Sequence, residues 1–194
     1  MAVDVAEAAT ALGGPIVLVG HSLGSLTAMA AAERVRPVGM VLLAPAPPAN
    51  VTSVRLLPPF PKGQLVAPPP PERARKWFLT ADTDVDVAAY VARMCPESPT
   101  FLNDLYMRRI PVDPRWTQGP ALCLSGGADD SPLHPAGQDQ AVAAFYGAEF
   151  DVLPGAGHCF MLGESHVAAT VQMLAWLRRE ALAGNLPTDD RVAR

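Results

Sequence analysis

Residues 15–35 read Pro15-Ile-Val-Leu-Val-Gly-His-Ser-Leu-Gly-Ser-Leu-Thr-Ala-Met-Ala-Ala-Ala-Glu-Arg-Val35. The run Ile16 to Val19 is short, wholly apolar and rich in β-branched residues. Such a run predicts a strand buried on both faces, as in a parallel sheet. Leu26 to Val35 is alanine-rich and predicts a helix. Between them lies Gly20-His21-Ser22-Leu23-Gly24, a G-x-S-x-G pentapeptide between strand and helix. In that context a serine sits on a tight, strained turn, with its hydroxyl raised above the sheet edge. The following N–H, on Leu23, then opens a helix, where the dipole favours negative charge. The bland alternative is a tight strand–helix turn with an incidental serine.

The pattern extends outward from this turn. Residues 3–12 carry Val5, Ala8, Ala9 and Leu12 at helical spacing, and Gly13-Gly14 ends that helix. Val38 to Ala44 is a second apolar strand, completing a β-α-β unit. Prolines then crowd residues 45–71, and three short helices are predicted, at 71–80, 84–94 and from a Ser98 cap to Tyr106. About 70 residues without a strand are read as a helical insertion over 49–118, since a structureless loop of that length is improbable. The alternation resumes with strand Ala121–Ser125, helix Gly137–Tyr146, strand Phe150–Leu153 and helix Ser165–Leu182. Leu162, Val167, Val171, Leu174 and Leu177 are assigned to the apolar stripe of that last helix. The organisation is therefore 1–48 core, 49–118 insertion, 119–183 core and 184–194 a frayed polar tail.

Composition narrows the class. The chain has 194 residues, 49% of them hydrophobic, enough for a sizeable core and against global disorder. Net charge is −4, and no Lys/Arg run exceeds two residues, which argues against nucleic acid. No apolar stretch reaches membrane length, and the N-terminus lacks a basic signal region. Cys95, Cys123 and Cys159 are sparse and odd in number, which fits reduced thiols in a cytoplasmic protein. No zinc spacing, phosphate loop or dinucleotide fingerprint is present, so no metal or cofactor is expected.

A serine hydroxyl needs a base to take its proton. Of His21, His134, His158 and His166, His158 is selected as that base. It lies in the glycine-rich loop Leu153-Pro-Gly-Ala-Gly-His158 leaving the fourth strand. His21 is too constrained to turn onto Ser22 and is expected beside the site. The base needs an anionic partner. Ser125-Gly-Gly-Ala-Asp-Asp130 follows the third strand and offers two registers of G-x-x-D: Gly127 with Asp130, or Gly126 with Asp129. Asp130 is preferred and Asp129 is the alternative. Trp77, Phe78, Phe101, Tyr106 and Trp116 either line an apolar acyl pocket or pack the insertion.

The order Ser, Asp, His, each after a successive strand, resembles the α/β-hydrolase family. Gly20–Gly24, Gly127–Asp130 and Gly155–His158 carry that resemblance, which spans residues 3–182. It implies a parallel sheet under a helical cap at 49–118, with Ser22, Asp130 and His158 as the triad and Leu23 as an oxyanion donor. It further implies cleavage of a small-molecule ester or related acyl substrate. Members of that family carry roughly four more strands before the elbow, and a His-Gly segment supplying a second oxyanion donor. Neither is found here. Either the start is misplaced or the chain is a half-fold; as a half-fold, Ile16 to Val19 is expected to form an exposed edge strand, through which copies of the chain self-associate. A non-catalytic or weakly active homologue with a binding role is the alternative reading.

Overall fold

The computed structural model describes residues 1–54, 56–79 and 84–187. Four parallel strands, β1 (Val17–His21), β2 (Gly39–Leu43), β3 (Ala121–Gly126) and β4 (Glu149–Leu153), form one sheet in the order β1-β2-β3-β4. The two central strands are the apolar runs. All five residues of β2 are buried, as are five of the six in β3. The edge strands are exposed: Val19 on β1 is 55% accessible, and only Leu153 of β4 is buried.

Helices cover the two faces unequally. On one face α2 (Leu23–Val35) and α6 (Gln138–Tyr146) pack against Leu18, Met40, Leu42 and Cys123, and α1 (Ala2–Leu12) lies over α2. On the other, α7 (Ser165–Leu182) covers Val41, Leu43, Leu122 and Leu124 through Trp176. Burial of a Trp176 side chain that is 2% accessible makes it an anchor worth about 3–5 kcal/mol against alanine.

Three helical expectations need correction. Helix α2 begins at Leu23, three residues before the alanine-rich run, because the serine turn feeds directly into it. On α7 the buried face runs through Ala169, Trp176 and Glu180. Val167, Val171 and Leu174 are instead exposed, at 56%, 60% and 45%, since no described element packs on that side. The tail expected to fray is docked at its start. Leu186 is buried in the α7 face, and Asn185 donates to Glu180 Oε2 at 2.8 Å. Residues 188–194 lie outside the described residues.

The 49–118 segment contains α3 (Pro71–Phe78), α4 (Val87–Ala92), α5 (Pro99–Tyr106) and a 3-10 turn at Pro114–Trp116. Helix α3 stops at Phe78, and Thr80, its expected end, lies outside the described residues. Asp86 caps α4, accepting the Ala89 N–H at 3.0 Å. Ser98 occupies the cap position of α5, but its side chain makes no capping bond. Among the described residues no strand forms here beyond a single bridge between Val66 and Glu97. Asn103 ties the segment internally, with its amide paired to both main-chain groups of Phe60 at 2.7 and 2.9 Å. No helix among the described residues is long and apolar enough to cross a membrane.

Candidate active site

The carboxyl ends of the four strands converge on Ser22. Its backbone sits at φ 50°, ψ −122°, a left-handed conformation that a non-glycine residue adopts at about 1–3 kcal/mol. The surroundings hold it there. The Ser22 N–H donates to Leu43 O at 2.8 Å, and its carbonyl accepts from the N–H groups of Ser25 and Ala46 at 3.0 and 3.1 Å. Fully buried Ser25 also donates its hydroxyl to the Ser22 carbonyl and accepts the Ala46 N–H at 3.1 Å. Ser25 thus staples the elbow to the exit of β2, a role the sequence reading missed. Gly20 is required by contact, because a Cβ there would lie 2.5 Å from Ser25 Cα. Gly24 meets nothing within 4 Å, so the two glycines of the pentapeptide are not equivalent.

His158 reaches back over the sheet edge from the loop after β4. That loop passes the end of β3 so closely that a Cβ on Gly126 would lie 2.4 Å from Gly157 O. The Cys159 N–H donates to Phe78 O at 2.8 Å, fastening the loop to the end of α3. His158 Nε2 lies 2.9 Å from Ser22 Oγ, and His158 Nδ1 lies 2.7 Å from an aspartate. That aspartate is Asp129, not Asp130. The Asp129 N–H donates to Gly126 O at 3.1 Å, closing a turn that aims its side chain inward. The carboxylate is 2% accessible, and its second oxygen accepts the Ser131 N–H at 3.2 Å. Asp130 follows the turn and is exposed. An ionised carboxylate accepts the Nδ1–H, which leaves Nε2 free to accept the serine proton.

Two further imidazoles flank His158, each with its ring centroid 4.9 Å away. His21 donates Nε2–H to the His158 carbonyl at 2.9 Å. Burial, reinforced by the neighbouring His158, holds its pKa down at about 4, so it is neutral. His134, unplaced by the sequence reading, is buried on the other side. Its Nε2 lies 2.7 Å from Asp139 Oδ1 and 3.8 Å from Asp129 Oδ2. Gln138 Nε2 donates to Pro45 O at 2.9 Å and to His134 Nδ1 at 3.0 Å. Since a carbonyl only accepts, this fixes the amide's orientation, and in neutral His134 it places the ring proton on Nε2, facing Asp139. No sequence motif marks this network. His166 is exposed and bonds only locally, to Gly163 O.

Asp129, His134 and His158 lie close enough to bind a metal together, with ligand atoms within 4.8 Å of one another. Each is already engaged by a hydrogen bond from or to protein, so the donor set fits proton relay better than metal binding. Cys159 neighbours His158, but burial pushes its thiol pKa up to about 11, and it contacts Tyr90 Oη at 3.8 Å. Such a thiol is a poor nucleophile. Cys123 is also buried, and Cys95 is exposed.

Ser22, Leu23 and His158 open onto a cavity of about 180 Å³. Of the five aromatic candidates Phe78 and Tyr106 line it, joined by Leu57, Leu102 and Leu105. Trp77, Phe101 and Trp116 do not. Leu23 is the first residue of α2, so its N–H has no partner within the helix, and the residue lines the cavity together with Ser22.

Comparison with known proteins agrees with this arrangement. No curated protein sequence matched the chain. Among solved structures, a methylesterase from Arabidopsis superposes with TM-score 0.61 at 14% identity, covering 89% of this chain and 75% of its own. A thermophilic esterase from Thermogutta terrifontis gives 0.61 at 24% identity, covering 92% and 71%. Tomato methylketone synthase I, in complex with 2-tridecanone, gives 0.59 at 16% identity, covering 90% and 76%. Likeness at such identity establishes the fold alone. The family assignment comes from the sequence, whose residues 1–173 match the alpha/beta hydrolase family: with its four parallel strands and its serine on a strained turn between β1 and α2, this chain belongs to that family.

Proposed function

We propose that the protein is a serine hydrolase that cleaves a small carboxylic ester or related acyl bond. The observation carrying this reading is the continuous relay from Ser22 Oγ to His158 at 2.9 Å and from His158 to Asp129 at 2.7 Å. Ser22 Oγ attacks the substrate carbonyl while His158 Nε2 takes its proton. Asp129 holds His158 in the correct tautomer and stabilises the imidazolium. The Leu23 N–H donates to the oxyanion. His158 then returns the proton to the departing alkoxide, leaving an acyl group on Ser22. Water, deprotonated by His158, releases the acid. The segment 49–118 acts as the cap, since Phe78, Leu102, Leu105 and Tyr106 face the cavity from it.

A fluorophosphonate probe tests this reading. Labelling of wild-type protein and its loss in Ser22→Ala, together with turnover of p-nitrophenyl butyrate, are expected. Labelling that persists in Ser22→Ala would remove the assignment. A second reading, a weakly active homologue with a binding role, is favoured by the open edge of β1, where Val19 is 55% accessible. Labelling of Ser22 without measurable turnover would select it.

A further inference from the structure

Arg108 stands out among the residues lining the cavity. It is a cation, and no Asp or Glu lines the cavity with it. Among the described residues no carboxylate pairs with it. Its Nη1 donates to the Val51 carbonyl, whereas its Nη2 is buried without any hydrogen-bond partner. The residue is held firmly: it lies two positions beyond α5, at φ 46°, with its N–H donating to Leu105 O at 2.9 Å. A buried donor without an acceptor is disfavoured, and native structures rarely keep one without a reason. Desolvation also pulls the pKa of this guanidinium below its ordinary value, although arginine remains charged.

We propose that Arg108 recognises a carboxylate on the substrate, so that the preferred substrates are short acyl esters carrying one negative charge. The inference deepens the hydrolase reading and rests on it. A carboxylate matches a guanidinium that lines the cavity with no Asp or Glu beside it. Size sets the scale. A cavity of about 150 Å³ holds a benzene ring, so about 180 Å³ admits a succinyl-sized group. Leu57, Leu102 and Leu105 line the same cavity, and an apolar wall strengthens a charge-assisted contact.

The test compares monoethyl succinate, with its charge on the acyl side, acetoxyacetate, with its charge on the alcohol side, and neutral ethyl 4-methylpentanoate. A charge-assisted contact predicts kcat/KM about ten- to a hundredfold higher for one of the charged esters than for the neutral one. Whichever charged ester is preferred identifies the side of the ester that faces Arg108. Arg108→Met, which keeps the apolar stem, should bring that ratio close to one, and Arg108→Lys should restore part of it. Binding of succinate itself, by calorimetry, gives a readout free of turnover: wild type should bind and Arg108→Met should not. Equal kcat/KM for charged and neutral esters, or succinate binding unchanged in Arg108→Met, would overturn the inference and leave the hydrolase reading standing. Arg108-dependent succinate binding with no hydrolysis of any ester would support the anion site and remove the hydrolase reading instead.

Discussion

His134 and Asp139 form a second buried imidazole–carboxylate pair, 2.7 Å apart, directly against the His158–Asp129 pair. Their side chains are 8% and 5% accessible. Two such pairs in contact mean that a change in one alters the setting of the other. Replacing Asp139 by Leu leaves the His134 Nε2–H buried without its acceptor, a loss of about 1–3 kcal/mol. Urea denaturation should show it as a lower midpoint with unchanged slope. Asp139→Asn, which keeps an acceptor, should lose less.

The two adjacent aspartates separate cleanly by mutation. Asp129→Asn leaves the geometry in place but allows the wrong His158 tautomer, and kcat should fall by about 10⁴-fold. Asp130→Asn, at an exposed position, should leave kcat within a factor of two or so, since surface changes are commonly within about 0.5 kcal/mol. Steady-state kinetics with p-nitrophenyl butyrate decides this, and a larger loss at Asp130 would remove Asp129 from the relay.

Stability should fall on the acid side because of His21. Its folded pKa, about 4, lies below the unfolded value of 6.5. The unfolded chain therefore takes up a proton that the folded protein refuses, and stability drops as pH falls from about 6.5 to 4. The full shift corresponds to a loss on the order of 3 kcal/mol. His134 acts in the opposite sense and in another window. Burial opposes its charge, but the hydrogen bond and charge of Asp139, with the charge of Asp129, outweigh burial and raise its pKa. Its contribution is present below 6.5 and fades as pH rises past its folded value. Thermal melts across pH 4–7 should therefore show a steep acid slope in wild type and a shallower one in His21→Gln.

Among the described residues no strand pairs with the outer side of β1, and Val19 on that strand is exposed. Such an edge invites pairing with a second copy. Size-exclusion chromatography with light scattering should show a mass that rises with concentration. Val19→Lys, placing a charge on that open face, should return the chain to a monomer. A wild-type monomer at all concentrations would contradict the expectation.

Local patterning carried the elements that are buried on both faces or bounded by sharp turns. Strands β2 and β3 are apolar runs because a central parallel strand touches apolar neighbours on both faces; β1 has the same pattern but lies at the sheet edge with Val19 exposed, against the expectation of burial on both faces. The serine turn is visible because strand, glycines and helix are contiguous in the chain. Ser22 and Leu23 could be named for that reason, and His158 because its glycine-rich loop directly leaves the fourth strand. The aspartate could not. Gly126-x-x-Asp129 and Gly127-x-x-Asp130 satisfy the same spacing, and only the main-chain bond from Asp129 to Gly126, with the crossing of the β4 loop over Gly126, turns one carboxylate inward. The same holds for residues brought in by contact from distant segments. Ser25 acquires its role from Ala46, His134 from Asp139 and Gln138, and Arg108 from the cavity it shares with Ser22. Much of the expected α7 stripe lies on the exposed side for a related reason, although Leu177 packs against the core. Val167, Val171 and Leu174 have apolar side chains at helical spacing, but burial depends on what stands opposite them, and helical periodicity contains nothing about the facing element.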